Sequence, residues 1–152
     1  MPRSVTITGT RSTEHMTTEQ FAELFRCYLA PFSSPNAHVY LGGAIGIDTE
    51  ALVWLAEHTR VALTVAVPCV LADQPEDAVN AVRHWQERKR VKGIVELGAP
   101  SLGTVAYHAR NRWMVDRSDF VIGFPRGDVP SGTWYTINYA AEKGKPRLVV
   151  PI

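Results

Sequence analysis

The sequence predicts an α/β fold: one Rossmann-like, three-layer domain spanning 1–152, built on a mostly parallel sheet of about six strands. Three observations carry this expectation. Short apolar runs alternate with longer segments of helical period. Boundaries between them are punctuated by glycine, proline or a capping hydroxyl. Runs such as Ala62–Val67 are apolar without interruption, as suits strands covered on both faces.

The elements follow in order. Ser4–Thr8 reads as the first strand, ending at Gly9. Thr17 opens a helix, with Gln20 three residues on as its capping-box partner. Phe21, Leu24, Phe25, Tyr28, Leu29 and Phe32 repeat at the spacing of one buried face. His38–Leu41 is the second strand, stopping at Gly42-Gly43, and Ile47–His58 the second helix, with Ile47, Ala51 and Leu55 along one side. Ala62–Val67 is the third strand. A helix starting at Asp73 or Gln74 with Pro75 in its first turn carries Val79, Val82 and Trp85 and becomes basic at Arg88-Lys89-Arg90. Ile94–Leu97, a helix around Tyr107–Arg117, Phe120–Phe124, a helix capped by Ser131 and ended by Gly144, and Leu148–Ile152 complete the chain.

Composition narrows the function. With 152 residues, 45% of them hydrophobic and 20% charged, neither a disordered nor a fibrous chain fits. A formal charge of +1 gives no overall attraction to nucleic acid or an anionic membrane. No apolar run reaches the roughly 18 residues of a membrane span, and the first residues lack a signal-peptide core, so the expected location is cytoplasmic. Cys27 and Cys69 lie in apolar surroundings without a CxxC pair and are expected to be buried, reduced thiols. The five histidines are scattered, so no metal and no cofactor are expected. Five of the sixteen basic residues fall in Arg83–Lys92, which reads as a solvated helix end rather than a nucleic-acid patch.

In a parallel sheet the C-terminal ends of all strands share one rim, where ligands bind. The loops gathered there are Gly9-Thr10-Arg11, Gly42-Gly43-Ala44-Ile45-Gly46-Ile47-Asp48 and Ser131-Gly132-Thr133. Glycine admits close backbone approach, and a helix N-terminus offers free N–H groups to an anion. Three such loops on one rim point to a nucleotide or nucleotide-derived phosphate ligand. Arg11 is placed to clamp a phosphate. Asp48 either accepts from a ribose hydroxyl or stabilises its helix N-terminus. Ser131 and Thr133 can cap their helix and touch phosphate. Trp85, Trp113 and Trp134 could stack on a base, whereas Trp54 sits at core spacing.

Thr8-Gly9-Thr10-Arg11, the Gly42–Asp48 segment, Arg110-Asn111-Arg112 and Ser131-Gly132-Thr133 occur in the order seen in the SLOG superfamily, which the chain resembles from Val5 to Pro151. That superfamily includes the Rossmann-like domain of DNA-processing protein A, the Lonely Guy phosphoribohydrolases and small stand-alone nucleotide-binding proteins. The resemblance implies that Arg110 and Asn111 face the ligand and that the chain forms a homodimer. Apolar faces on Phe21–Phe32 and Tyr107–Arg117 are the candidate interfaces. Two other functions stand beside nucleotide binding. For a nucleoside 5′-monophosphate N-glycosidic hydrolase, the resemblance to the Lonely Guy enzymes implies a glutamate where Thr136 stands, so no catalytic residue is assigned; Asp48, Glu96 and Asp119 are the carboxylates that could replace it. A single-stranded DNA-binding module is disfavoured by the near-neutral charge and by Ile45, which replaces an arginine of the DNA-processing branch.

Overall fold

A computed structural model describes residues 2–152. β1 (Ser4–Gly9), β2 (His38–Gly42), β3 (Ala62–Val67), β4 (Val91–Glu96), β5 (Phe120–Phe124) and β6 (Arg147–Val149) form one sheet in the order β4-β3-β2-β1-β5-β6. Every neighbouring pair is parallel. The chain winds outward from β1 to β4, then returns to add β5 and β6 on the other side of β1. The switch point therefore lies between β1 and β5, and the fold is the expected Rossmann-like α/β architecture.

The crossovers are α1 (Thr18–Tyr28), α2 (Ile47–His58), α3 (Glu76–Glu87), α4 (Thr104–Asp116) and α5 (Gly132–Glu142). Alternation along the strands divides the sheet into two faces. Leu41, Leu63, Val65 and Ile122 join Phe25, Leu52, Leu55 and Val82 in the large core beneath α1, α2 and α3. Val121 instead meets Val115 and Ala140 beneath α4 and α5. Phe25 anchors the larger core, its ring 6.2 Å from Trp54 and 5.8 Å from Phe124. Truncating so buried an aromatic typically costs about 3–5 kcal/mol. The capping box forms as expected: Gln20 donates its backbone N–H to the Thr17 hydroxyl, and Thr17 donates its own to the Gln20 side chain.

Several boundaries differ for local reasons. Leu71–Asp73 is a separate 3₁₀ turn, and α3 begins only at Glu76, with Pro75 as its N-cap. The proline ring excludes the preceding Gln74 from helical backbone, and Gln74 is extended at ψ 163°. After α3, Lys89 adopts a left-handed φ of 62°, reversing the chain so quickly that β4 starts at Val91, before Ile94. Hence the basic run Arg88–Arg90 is a turn at the strand-start rim. α4 starts at Thr104, earlier than Tyr107. β6 ends at Val149, although Val150 and Ile152 still donate to Gly123 and Pro125. Cys27 is a correction: it lies on the solvent side of α1 beside Glu23, while Cys69 is buried. Phe21, Phe25 and Leu29 are spent on the core, so α1 does not offer them to a partner.

Candidate functional site

At the switch point the sheet opens into a cavity of about 370 Å³. Three loops and one helix build it. The β1 loop contributes Gly9, Thr10 and Arg11, the β2 loop Ala44, the first turn of α2 Asp48, and the start of α5 Ser131, Gly132 and Thr133. Arg110 and Asn111 reach in from α4. The sequence-predicted residues thus converge, with four exceptions that support the cavity from behind.

Those four are Gly42, Gly43, Gly46 and Ile47. A Cβ on Gly42 would stand 2.6 Å from Arg110 Nη1 and 2.7 Å from Asp48 Oδ2, so the missing side chain is the space that holds both groups. Gly46 has φ 80° and lies against the Thr10 carbonyl and Arg11 backbone, a position only glycine fills without strain. Gly43 packs against Val67. Ile47 is wholly buried and covers Gly9. Its amide donates to the Thr10 carbonyl at 3.0 Å, fastening the β2 loop to the β1 loop.

Arg110 is the most telling group. Its residue is only 4% exposed, yet the ion pairs formed among the described residues are Arg26–Glu23 and Arg126–Glu14. Arg110 donates through Nε to Asn111 Oδ1 at 2.8 Å and through Nη1 to the Ala66 carbonyl at 3.3 Å. A buried guanidinium with two neutral acceptors retains unmet capacity for an anion. Burial pulls its pKa below the ordinary guanidinium value, with nearby Asp48 opposing.

Asp48 is the counterpart. Burial pushes its carboxyl up to about 7, against the pull of Arg110, the Ala44 amide and Arg11. Ala44 N–H donates to Oδ2 at a long 3.4 Å. Asp48 is not the N-cap of α2, which is Gly46. The cavity therefore holds two arginines against a carboxyl that burial makes harder to ionise. Exposed Arg11 stands 4.6 Å above the Tyr107 ring and Arg110 5.7 Å from its centre, so one tyrosine ring is within cation–π reach of both cations. At the opposite wall, Ser131 caps α5 by accepting from the Trp134 amide at 3.3 Å. The first amides of α5 have no intrahelical acceptor.

The site residues read from the sequence leave out Tyr107, Thr104, His108, Ser12, Thr8 and Met114, all of which line the cavity. The signal for Tyr107 and Met114 was their offset of three or four residues from Arg110, which puts them on one helix face. Of the other carboxylates considered, Glu96 accepts from the Leu71 amide and Asp119 from the Arg3 amide; neither lines the cavity. Thr136 is buried and donates its hydroxyl to the Gly132 carbonyl at 2.8 Å. Among the described residues no group of three or more His, Cys, Asp or Glu could hold a metal ion. No helix there is long and apolar enough to cross a membrane.

No protein-family model matches the chain, and no curated protein matches it. Solved structures do. DNA processing protein A from Helicobacter pylori, described for its single-stranded DNA binding mode, superposes with a TM-score of 0.71 at 25% identity. The match covers 99% of this chain and 66% of that one. DNA processing protein A from Streptococcus pneumoniae superposes with a TM-score of 0.72 at 18% identity, over 98% of this chain and 50% of that one. This chain thus spans about two-thirds of the one and half of the other, and at 18% identity the second likeness speaks for the fold alone.

Proposed function

We propose that the strand-end cavity binds one phosphate-bearing nucleotide unit. The observation that carries this reading is Arg110, a desolvated cation without a contacting carboxylate, facing a cavity that Arg11 and the α5 N-terminus also border. An anion there would gain charge-assisted hydrogen bonds from groups already held in place. Asn111, Ser131 and Thr133 offer polar contacts for the sugar.

Two ligands contain such a unit. Single-stranded DNA is supported by the likeness to the Helicobacter pylori protein over nearly the whole of this chain, and it is the ligand the comparisons favour. A free nucleotide is supported by the cavity itself, which is sized for one unit, with the Arg83–Lys92 run lying elsewhere. Calorimetric titration with dAMP and with a deoxyoligonucleotide separates them. Binding of both, weakened in Arg11→Ala and more strongly in Arg110→Met, supports the common site. A strand preference that weakens steeply with salt supports the first ligand, and equal affinity the second. Absence of any binding at millimolar ligand would overturn the reading.

We also propose that 1–152 acts as one domain in the cytoplasm and forms a homodimer, with α4 the remaining candidate interface: Trp113 is only half-buried there, under the Arg117 guanidinium at 4.0 Å. Light scattering that returns the 16.8 kDa monomer mass at micromolar concentration would refute the dimer.

A further inference from the structure

A second, shallower cavity of about 730 Å³ adjoins the first. The two share Thr104, His108, Ser131 and Gly132, so the α5 N-terminus forms the ridge between them. Their linings differ in kind. The first has Arg11 and Arg110; the second has no lysine or arginine, and its one carboxylate is Asp128. Its walls are instead aromatic. His108 and Tyr135 stack parallel, 3.6 Å between centroids and 1° between planes, bridging α4 and α5. Arg112 fixes the tyrosine by donating to its hydroxyl at 2.7 Å. Trp134 lines the cavity too, pinned where its indole N–H donates to the Gly127 carbonyl at 2.9 Å.

An uncharged, stackable group suits these walls, and a phosphate does not. We infer that the aromatic cavity seats a second nucleobase, so that the ligand class is two nucleoside units joined through phosphate, with the linkage lying over the Ser131–Gly132 ridge. This inference rests on the phosphate-cavity reading above and deepens it. The amides at the ridge receive the linking phosphate, the arginine-lined cavity takes one nucleoside phosphate, and the rings take the outer base. Asn138 supplies both a donor and an acceptor for its edge. Burial and the Arg112 charge hold the His108 pKa below the ordinary histidine value, which favours the uncharged ring in the stack. A short dinucleotide and a DNA strand share this chemistry.

The test measures binding of d(pA), d(pApA) and d(pA)6 to the wild-type chain and to Trp134→Ala and Trp134→Phe, each shown by thermal melting to fold. Stacking of one base is worth about 1–3 kcal/mol, so d(pApA) should bind at least about fivefold tighter than d(pA). Trp134→Ala should erase that advantage without weakening d(pA), and Trp134→Phe should keep most of it. Equal affinities for d(pA) and d(pApA) in the wild type would overturn the second-base site. So would an advantage that survives Trp134→Ala, or an equal loss for both ligands in that variant. If d(pA) still binds through Arg11 in those cases, the phosphate cavity stands and only this extension falls; if nothing binds, both fall. Given the advantage, d(pA)6 no tighter than d(pApA) identifies a free dinucleotide as the source, and d(pA)6 far tighter identifies a strand.

Discussion

Arg90 lies at the strand-start rim and Arg110 at the strand-end rim, and the fold treats these two arginines in opposite ways. Arg90 donates to the carbonyls of Leu55, Ala56, Thr59 and Val61, closing the end of α2 and the entry to β3. Its Nε and Nη2 donors are met by backbone carbonyls at the end of α2 and in the segment that leads into β3. Arg110 is more deeply buried and has two neutral acceptors in its place. An arginine met by four backbone carbonyls is suited to stabilising the fold, whereas a more deeply buried one with only two neutral acceptors is suited to stabilising a complex. The basic run at residues 83–92 thus includes a structural cap, and the isolated cation on α4 is the better candidate for binding.

The contrast predicts effects of graded size. The largest concerns pH. Asp48 has its folded carboxyl raised to about 7 from 3.8, so the folded state binds more protons than the unfolded chain between those values. Stability should therefore fall as pH rises from about 4 through 7 and stay low above, by on the order of 4 kcal/mol at most. Urea titrations at pH 5 and pH 8 measure it, and Asp48→Asn should flatten the difference; an unchanged slope in that variant removes Asp48 from the account. Next, Arg110→Met should weaken nucleotide binding about 100-fold. At pH 5, where Asp48 is neutral, its stability should stay within about 1 kcal/mol of the wild type, because an incompletely compensated charge has been replaced by an apolar chain. A variant that unfolds at pH 5 would make Arg110 a structural residue like Arg90.

Arg90→Met should do the reverse, lowering stability by about 2 kcal/mol through lost charge-assisted bonds while leaving ligand affinity unchanged; reduced affinity would erase the distinction between the rims. The smallest effect is expected at Arg11. It is exposed and held only over Tyr107, so Arg11→Ala should cost about tenfold in affinity with no change in melting temperature. A loss as large as that of Arg110→Met would show that the exposed cation, not the buried one, carries the site.

How much of this was readable beforehand depends on the range over which each residue acts. The capping pair Thr17–Gln20, the apolar run Ala62–Val67 and the helix Ile47–His58 obey local rules and appear as read. The glycine loops also met at one rim, because parallel strands oblige them to. What failed to show was long-range or dihedral in origin. Lys89 turns the chain by a left-handed φ that no neighbouring residue announces. Arg90 finds acceptors some thirty residues earlier, and its role is invisible without the register of α2 against β4. Gly42 looked like a ligand-facing glycine, but its function is to leave room for Arg110, sixty-eight positions away. Thr104 was missed because α4 begins a turn earlier than its apolar pattern shows.

The fastening of the β2 loop to the β1 loop has a consequence for how this sequence can diversify. Ile47 bonds to Thr10, Thr10 bonds to Phe124, and Gly46 has no clearance from the β1 loop. An insertion anywhere in 42–47 would have to displace all three strand ends at once. The stretch 126–130 is exposed throughout, and its side-chain tie to the β1 loop is the pairing of Arg126 with Ser12 and Glu14. Lengthening or trimming it changes what borders the aromatic cavity and reaches the arginine-lined one only at its edge, through Ser12. Descendants of this chain are free to acquire new ligand preferences there, through changes of loop length, while inheriting the same arginine-lined floor.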